Sequence, residues 1–237
     1  MLITESKIPF IIFIDGADGV GKTTVAVELA NLISSEGINT GIESILGCTT
    51  IANLIKEKAI NDEDHNEYLN FLGFCYSTFT GIESIYKKLA LTVYIVDRSH
   101  SATFAQNICS SELNSQIKTS MLNIFNELNK MFIEKRKNTY ANALLELKPQ
   151  LALDRIIANR KHLDNFEKKG VDYQEKIQRC FRLYFEKNNL DVLVDTENKT
   201  PEQIASLIYY NVRDKLKCHL MTQLNPTVPS PIYNKNN

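Results

Sequence analysis

The chain predicts a three-layer, doubly wound α/β fold around a five-stranded parallel sheet, and three observations carry that prediction. Phe10-Ile11-Ile12-Phe13-Ile14 is an unbroken β-branched and aromatic run, the pattern of a strand buried on both faces. It feeds straight into a glycine-rich turn and then a stretch of helical periodicity. Four more short apolar runs follow with helical stretches between them, and such alternation leads to a parallel sheet. The 237 residues, 43% hydrophobic and 23% charged, suit one α/β domain with an ordinary core.

The elements follow in order. Phe10 to Ile14 is the first strand, and Thr23 to Ile33 the helix behind the turn. Gly37 is placed to stop that helix, because a left-handed glycine just past a C-terminus satisfies its last carbonyls. Further strands are expected at Thr40 to Ile45, Thr92 to Val96, Ala143 to Leu147 and Leu190 to Val194. Gln116 to Ile133 carries Ile117, Met121, Ile124 and Leu128 on one stripe, and Tyr173 to Phe185 carries Tyr173, Ile177, Phe181 and Tyr184, so both read as amphipathic helices. Thr200-Pro201-Glu202-Gln203 opens the last helix, with Thr200 as cap, Pro201 at the first helical position and Gln203 closing a capping box. The domain is expected over residues 1–218 with a short lid at about 155–172, and residues 219–237, rich in Pro and Asn toward the end, as a flexible tail.

The turn after the first strand is Gly16-Ala17-Asp18-Gly19-Val20-Gly21-Lys22-Thr23-Thr24, a G-x-x-x-x-G-K-T phosphate-binding loop. Its glycines let backbone amides approach a polyphosphate, and the helix that follows turns its positive end toward the anion. Lys22 is expected on the β- and γ-phosphates and the Thr23 hydroxyl on magnesium. Asp97-Arg98-Ser99 closes the third strand. An acid there supplies a second magnesium contact, and an adjacent arginine grips a phosphate with two parallel hydrogen bonds. Arg155, Arg160, Lys161 and His162 crowd a connection between two helices, which reads as a lid bringing cations to the transferring phosphoryl group.

Other classes fare worse. The net charge of −1 gives no electrostatic case for a nucleic-acid polymer as partner. No stretch approaches the roughly 20 apolar residues of a membrane span. A GTPase base reader, N-K-x-D, is missing: Asn129-Lys130-Met131-Phe132 fails at its last position. Five scattered cysteines without a C-x-x-C pair suggest reduced thiols in a cytoplasmic protein.

Taken together, these residues resemble the thymidylate kinase family of nucleoside monophosphate kinases, from about Pro9 to Leu216. The resemblance implies ATP as donor, Mg2+ as cofactor and a small nucleotide as acceptor, with dTMP converted to dTDP. It implies the deoxyribose on Asp18, the acceptor phosphate on Arg98, the base stacked on Phe71 with Asn107 at its edge, and Arg160 as the lid arginine, since position 19 is Gly rather than Arg. Gly47-Cys48-Thr49 and Asp164-Asn165-Phe166-Glu167 are similar to further family segments. A homodimer through helices remote from the loop is also implied. Departures fall in the acceptor half: Ser99, Cys75, Asn107 and Asn165 stand where the family has other grips. Two alternatives stay open: a deoxynucleoside kinase, whose Glu-Arg-Ser resembles Asp97-Arg98-Ser99, and a nucleotide-binding module without catalysis.

Overall fold

The structure, a computed structural model, describes residues 8–45, 54, 66–88, 90, 92–136, 138–159 and 167–224. Five strands, β1 (Phe10–Asp15), β2 (Thr40–Ser44), β3 (Val93–Asp97), β4 (Tyr140–Glu146) and β5 (Val192–Asp195), form one parallel sheet in the order β2-β3-β1-β4-β5. Helices α1 (Lys22–Ser35), α2 (Glu67–Lys87), α3 (His100–Thr103, running into a π-helical turn Phe104–Cys109), α4 (Ser115–Phe132), α5 (Pro149–Asn159), α6 (Gly170–Lys187) and α7 (Pro201–Leu224) surround it. On one side α1 packs on α7; on the other, α2 packs on α4 and α6 packs on the π-helical turn. β1 sits at the centre with every residue buried, so the loop leaving it lies in the middle of the sheet's carboxyl edge, where such folds bind ligands.

Local signals explain most element ends. Gly37 adopts φ +81° and its N–H donates to Ser34 O, closing α1 as expected. At α7 the capping box forms: Thr200 N–H donates to Gln203 Oε1 at 2.9 Å, and Gln203 N–H to Thr200 Oγ1 at 3.3 Å. α7 runs on to Leu224, past the expected boundary at residue 218. His219 ties this extension down, its ring 5.4 Å from Phe10 and its Nε2 2.9 Å from Ile8 O. Residues 225–237 of the expected tail lie outside the described residues. β4 starts three residues earlier than the apolar run suggested. Asn142 interrupts the run, yet it is buried with both donors used: its N–H donates to Asp191 Oδ2 and its side-chain N–H2 to Asn189 O, each at 2.8 Å, while its Oδ1 has no hydrogen-bond partner.

The cysteines require a correction. Cys109, at the end of the π-helical turn, and Cys180, on α6, form a disulfide with their Cα atoms 5.7 Å apart, within the span a disulfide bridges. The expectation of reduced thiols throughout fails for this pair, which the packing of α6 on the turn brings together. Cys75 is buried and unbridged, and burial pushes its thiol up to about 12.

His100 opens α3 inside an aromatic cluster, 5.6 Å from the Phe13 ring and 5.8 Å from Tyr184. Burial disfavours its cation and pushes its pKa down from 6.5 to about 3. Between those values the unfolded chain binds a proton that the folded chain refuses. This contribution is therefore complete above pH 6.5 and is lost as the pH falls below it, by up to about 1.4 kcal/mol per pH unit. We expect His100→Phe to flatten that acid-side loss. Urea unfolding of both proteins at pH 7.5 and 5 measures it, and a difference between the two that does not change with pH would contradict it.

Candidate active site

The loop between β1 and α1 is shaped by what surrounds it. Gly16 adopts φ +142° and Gly19 φ +81°, and a Cβ would strike the carbonyl oxygen of Leu145 at Gly16 and that of Ala152 at Gly19. Only glycine fits at either position. Gly21 caps α1 in a left-handed conformation with no side-chain hydrogen bond to the helix. The first amides of α1 are thus left for a ligand, at the end where the helix field favours anions.

Lys22 is buried, and its ammonium donates to Gly16 O at 3.0 Å and Ala17 O at 2.7 Å, with Asp18 Oδ1 3.6 Å away. Burial, and then the Arg98 cation, lower its pKa; Asp18 and Asp97 oppose them. A cation aimed along a loop of inward amides is what a polyphosphate needs.

Asp97 ends β3 beside the loop. Its Oδ2 accepts the Thr23 hydroxyl at 2.5 Å, and its Oδ1 is buried without a hydrogen-bond partner. A carboxylate oxygen left unmatched next to a hydroxyl, on the wall of the loop cavity, is a hard donor set that fits magnesium. Among the described residues no group of three or more His, Cys, Asp or Glu could hold a metal by themselves.

Arg98 follows with φ +73°, a conformation costing a non-glycine residue about 1–2 kcal/mol. Its guanidinium donates to Asp18 Oδ1 at 2.5 Å, and that carboxylate raises its pKa above the ordinary value. Lys22, Thr23, Thr24, Asp97 and Arg98 share one cavity of about 410 Å³ with Asp18, Gly19, Val20 and Gly21 of the loop. Gly16 lies behind it against Leu145, and Ala17 contributes the carbonyl that receives Lys22. Arg155 and Asn159 of α5 and Lys199 before α7 complete the outer wall.

The acceptor side is built differently from the expectation. Phe71 is 0% exposed and packs in the core beside Tyr68, so it offers no face to a base. Phe74, one helical turn on, lines the narrow cavity next to Arg98 together with Thr78, Gln106 and Asn107. The Thr78 and Thr103 hydroxyls meet there at 2.9 Å. This cavity is about 10 Å³, room for about one water, so a base enters only if these side chains part. Asn107 and Gln106 also line a larger polar cavity of about 470 Å³ toward Lys169, Asp172 and Tyr173. Arg160, Asp164, Asn165, Phe166 and Gly47-Cys48-Thr49 lie outside the described residues.

Sequence reasoning passed over Asp15 and Phe74, and it placed Arg155 in the lid segment rather than on α5 at the wall of the loop cavity. The signal for Asp15 was present: an acid closing a wholly apolar strand is costly to bury unless it has partners.

A parallel sheet, a phosphate loop at its centre and a Thr–Asp pair beside that loop define a nucleotide-dependent phosphotransferase. Residues 14–208 match the family model of thymidylate kinase. The chain belongs to the thymidylate kinase family and is a nucleoside monophosphate kinase. A probable thymidylate kinase of Archaeoglobus fulgidus is 26% identical over 174 residues, 72% of this chain and 80% of that one. A 2-phosphoglycerate kinase of Methanocaldococcus jannaschii is 23% identical over 224 residues, 83% of this chain and 69% of that one. Thymidylate kinase from Candida albicans shares the fold with a TM-score of 0.63 at 18% identity, over 90% of this chain and 94% of that one. The family match favours neither the deoxynucleoside kinase nor the non-catalytic module. No described helix is long and apolar enough to cross a membrane.

Proposed function

We propose that this chain uses ATP and Mg2+ to phosphorylate dTMP to dTDP. The observation that carries this is the meeting of two grips in one cavity. Lys22 and the loop amides stand on one side, and Arg98, paired to Asp18, on the other. In this reading the donor phosphates lie along the loop, and Arg155, Asn159 and Lys199 flank the rest of the donor. Thr23 and Asp97 hold the magnesium, which neutralises charge on the donor phosphates. Arg98 leaves Asp18 to hold the acceptor phosphate, and Asp18 turns to the sugar. Phe74 takes the stacking role in place of Phe71, with Asn107 at the base edge. Arg160 serves the transferring group. No strong base is needed, because the acceptor phosphate oxygen is already an anion; the work is alignment and charge neutralisation.

The test is ADP release with ATP and a panel of nucleoside monophosphates, with thymidine alongside dTMP. Turnover highest on dTMP is expected. Turnover on thymidine and not on dTMP would make the protein a deoxynucleoside kinase, and tight ATP binding without any turnover would make it a binding module. Sedimentation of the same preparation, against the 27.0 kDa chain mass, checks the homodimer that belongs to this reading; Leu69, Leu72 and Tyr76 form an exposed apolar stripe on α2 that suits one.

A further inference from the structure

The most deeply buried carboxylate near the cavity touches neither the loop cavity nor the magnesium pair. Asp15 is 0% exposed at the end of β1. Both of its oxygens accept from Ser99: Oδ1 takes the Ser99 N–H at 2.8 Å and Oδ2 the Ser99 hydroxyl at 2.5 Å; the Ser101 side chain and the Lys22 charge also favour the carboxylate. The same hydroxyl oxygen accepts the Ser101 N–H at 3.0 Å and so caps α3. Ser99 directly follows Arg98, whose own N–H donates to Ile14 O at 3.0 Å. The left-handed residue is therefore clamped on both sides, by the β1 main chain before it and by Asp15 after it. A non-glycine residue stays in that conformation only where its surroundings over-determine it.

We propose that Asp15 is a positioning residue for the phosphate grip of Arg98: through Ser99 it fixes the backbone from which the guanidinium reaches Asp18 and the acceptor phosphate. The proposal rests on the reading of Arg98 given above. Asparagine at position 15 keeps an acceptor for the Ser99 N–H but puts an N–H2 donor against the hydroxyl. The hydroxyl then has to turn its proton toward Ser101 Oγ, 3.3 Å away. The turn survives with a weaker clamp.

The test uses the full chain with ATP as donor and dTMP as acceptor. Asp15→Asn is expected to raise the dTMP KM about tenfold, the worth of one hydrogen bond to a charged group. Affinity for a fluorescent ATP analogue should stay within about twofold. Ser99→Ala should move the dTMP KM the same way by less, and Ser99→Thr, which keeps both hydrogen bonds, should restore it. A merely structural role would lower the active fraction, and with it kcat, while leaving both substrate constants in place; that result overturns the proposal. So does an ATP affinity that weakens as much as the dTMP KM, which would make Asp15 a partner of Lys22 instead. Arg98→Ala separates the two levels. If it leaves the dTMP KM unmoved, the reading of Arg98 fails and this proposal falls with it. If it raises the KM while Asp15→Asn and Ser99→Ala do not, the Asp15 proposal alone falls. Should Asp15→Asn not fold, the Ser99 pair decides.

Discussion

Lys22→Ala lowers kcat for dTMP phosphorylation by about a thousandfold or more and weakens ATP binding, with the fold intact. The ammonium is buried and held in the loop by two carbonyl oxygens and Asp18. A fixed, buried cation facing developing phosphate charge is worth far more than a mobile one in water. Removing one preorganised electrostatic contact of that kind costs on the order of 10²–10³ in rate, and Lys22 meets the donor as well as the transition state. Truncation also removes the only ammonium bound to the loop carbonyls among the described residues, and leaves the negative charges of Asp15, Asp18 and Asp97 less compensated. Single-turnover kinetics with saturating dTMP, beside circular dichroism of the variant, measures the effect. A variant that kept a near-native rate on every monophosphate would mean that the donor does not sit on this loop.

Asp97→Asn is expected to lower kcat/KM by about a hundredfold and to shift half-activation to higher Mg2+. The amide conserves shape and can still accept the Thr23 hydroxyl through its oxygen. It loses the charge, and one of its two positions becomes an N–H2 that cannot bind a cation. The buried Oδ1 that lacks a partner is the atom whose loss matters if the cation binds there. Activity against Mg2+ concentration for both proteins decides it. An unchanged half-activation point would remove Asp97 from the cation's surroundings and leave it as a strut for Thr23. Chelating the cation from the wild-type protein should reproduce the lost activity.

The parts of this molecule that were legible in the sequence are those encoded by neighbours. β1, its loop and the start of α1 lie within about 15 consecutive residues, where periodicity and glycine spacing act directly. The capping box of α7 was readable for the same reason. Asp97 and Arg98 stand out in the sequence as the end of a strand, and the sheet register places that end beside the loop. What stayed hidden depends on residues far apart in the chain. The Cys109–Cys180 bridge spans 71 residues, and no spacing rule reaches that far. Asn142 masked the start of β4 because its partners sit near residue 190. Phe71 and Phe74 lie on one apolar helix, and only the packing of α2 against the sheet shows which faces the core and which faces Arg98. Asp15 was passed over because its partner, Ser99, is 84 residues away.

Gly19 has one more consequence. Its missing side chain is imposed by Ala152, whose main-chain oxygen occupies the only direction a substituent could take. The loop is therefore sterically barred from donating a charged arm of its own at that position, and no single exchange there can install one while α5 keeps its place. Positive charge for the reacting phosphate that position 19 cannot supply is available from the cavity's outer wall, where Arg155 and Lys199 stand. Moving that duty to position 19 would require displacing the first turn of α5 and replacing the glycine together, so the two segments can change there only as a pair.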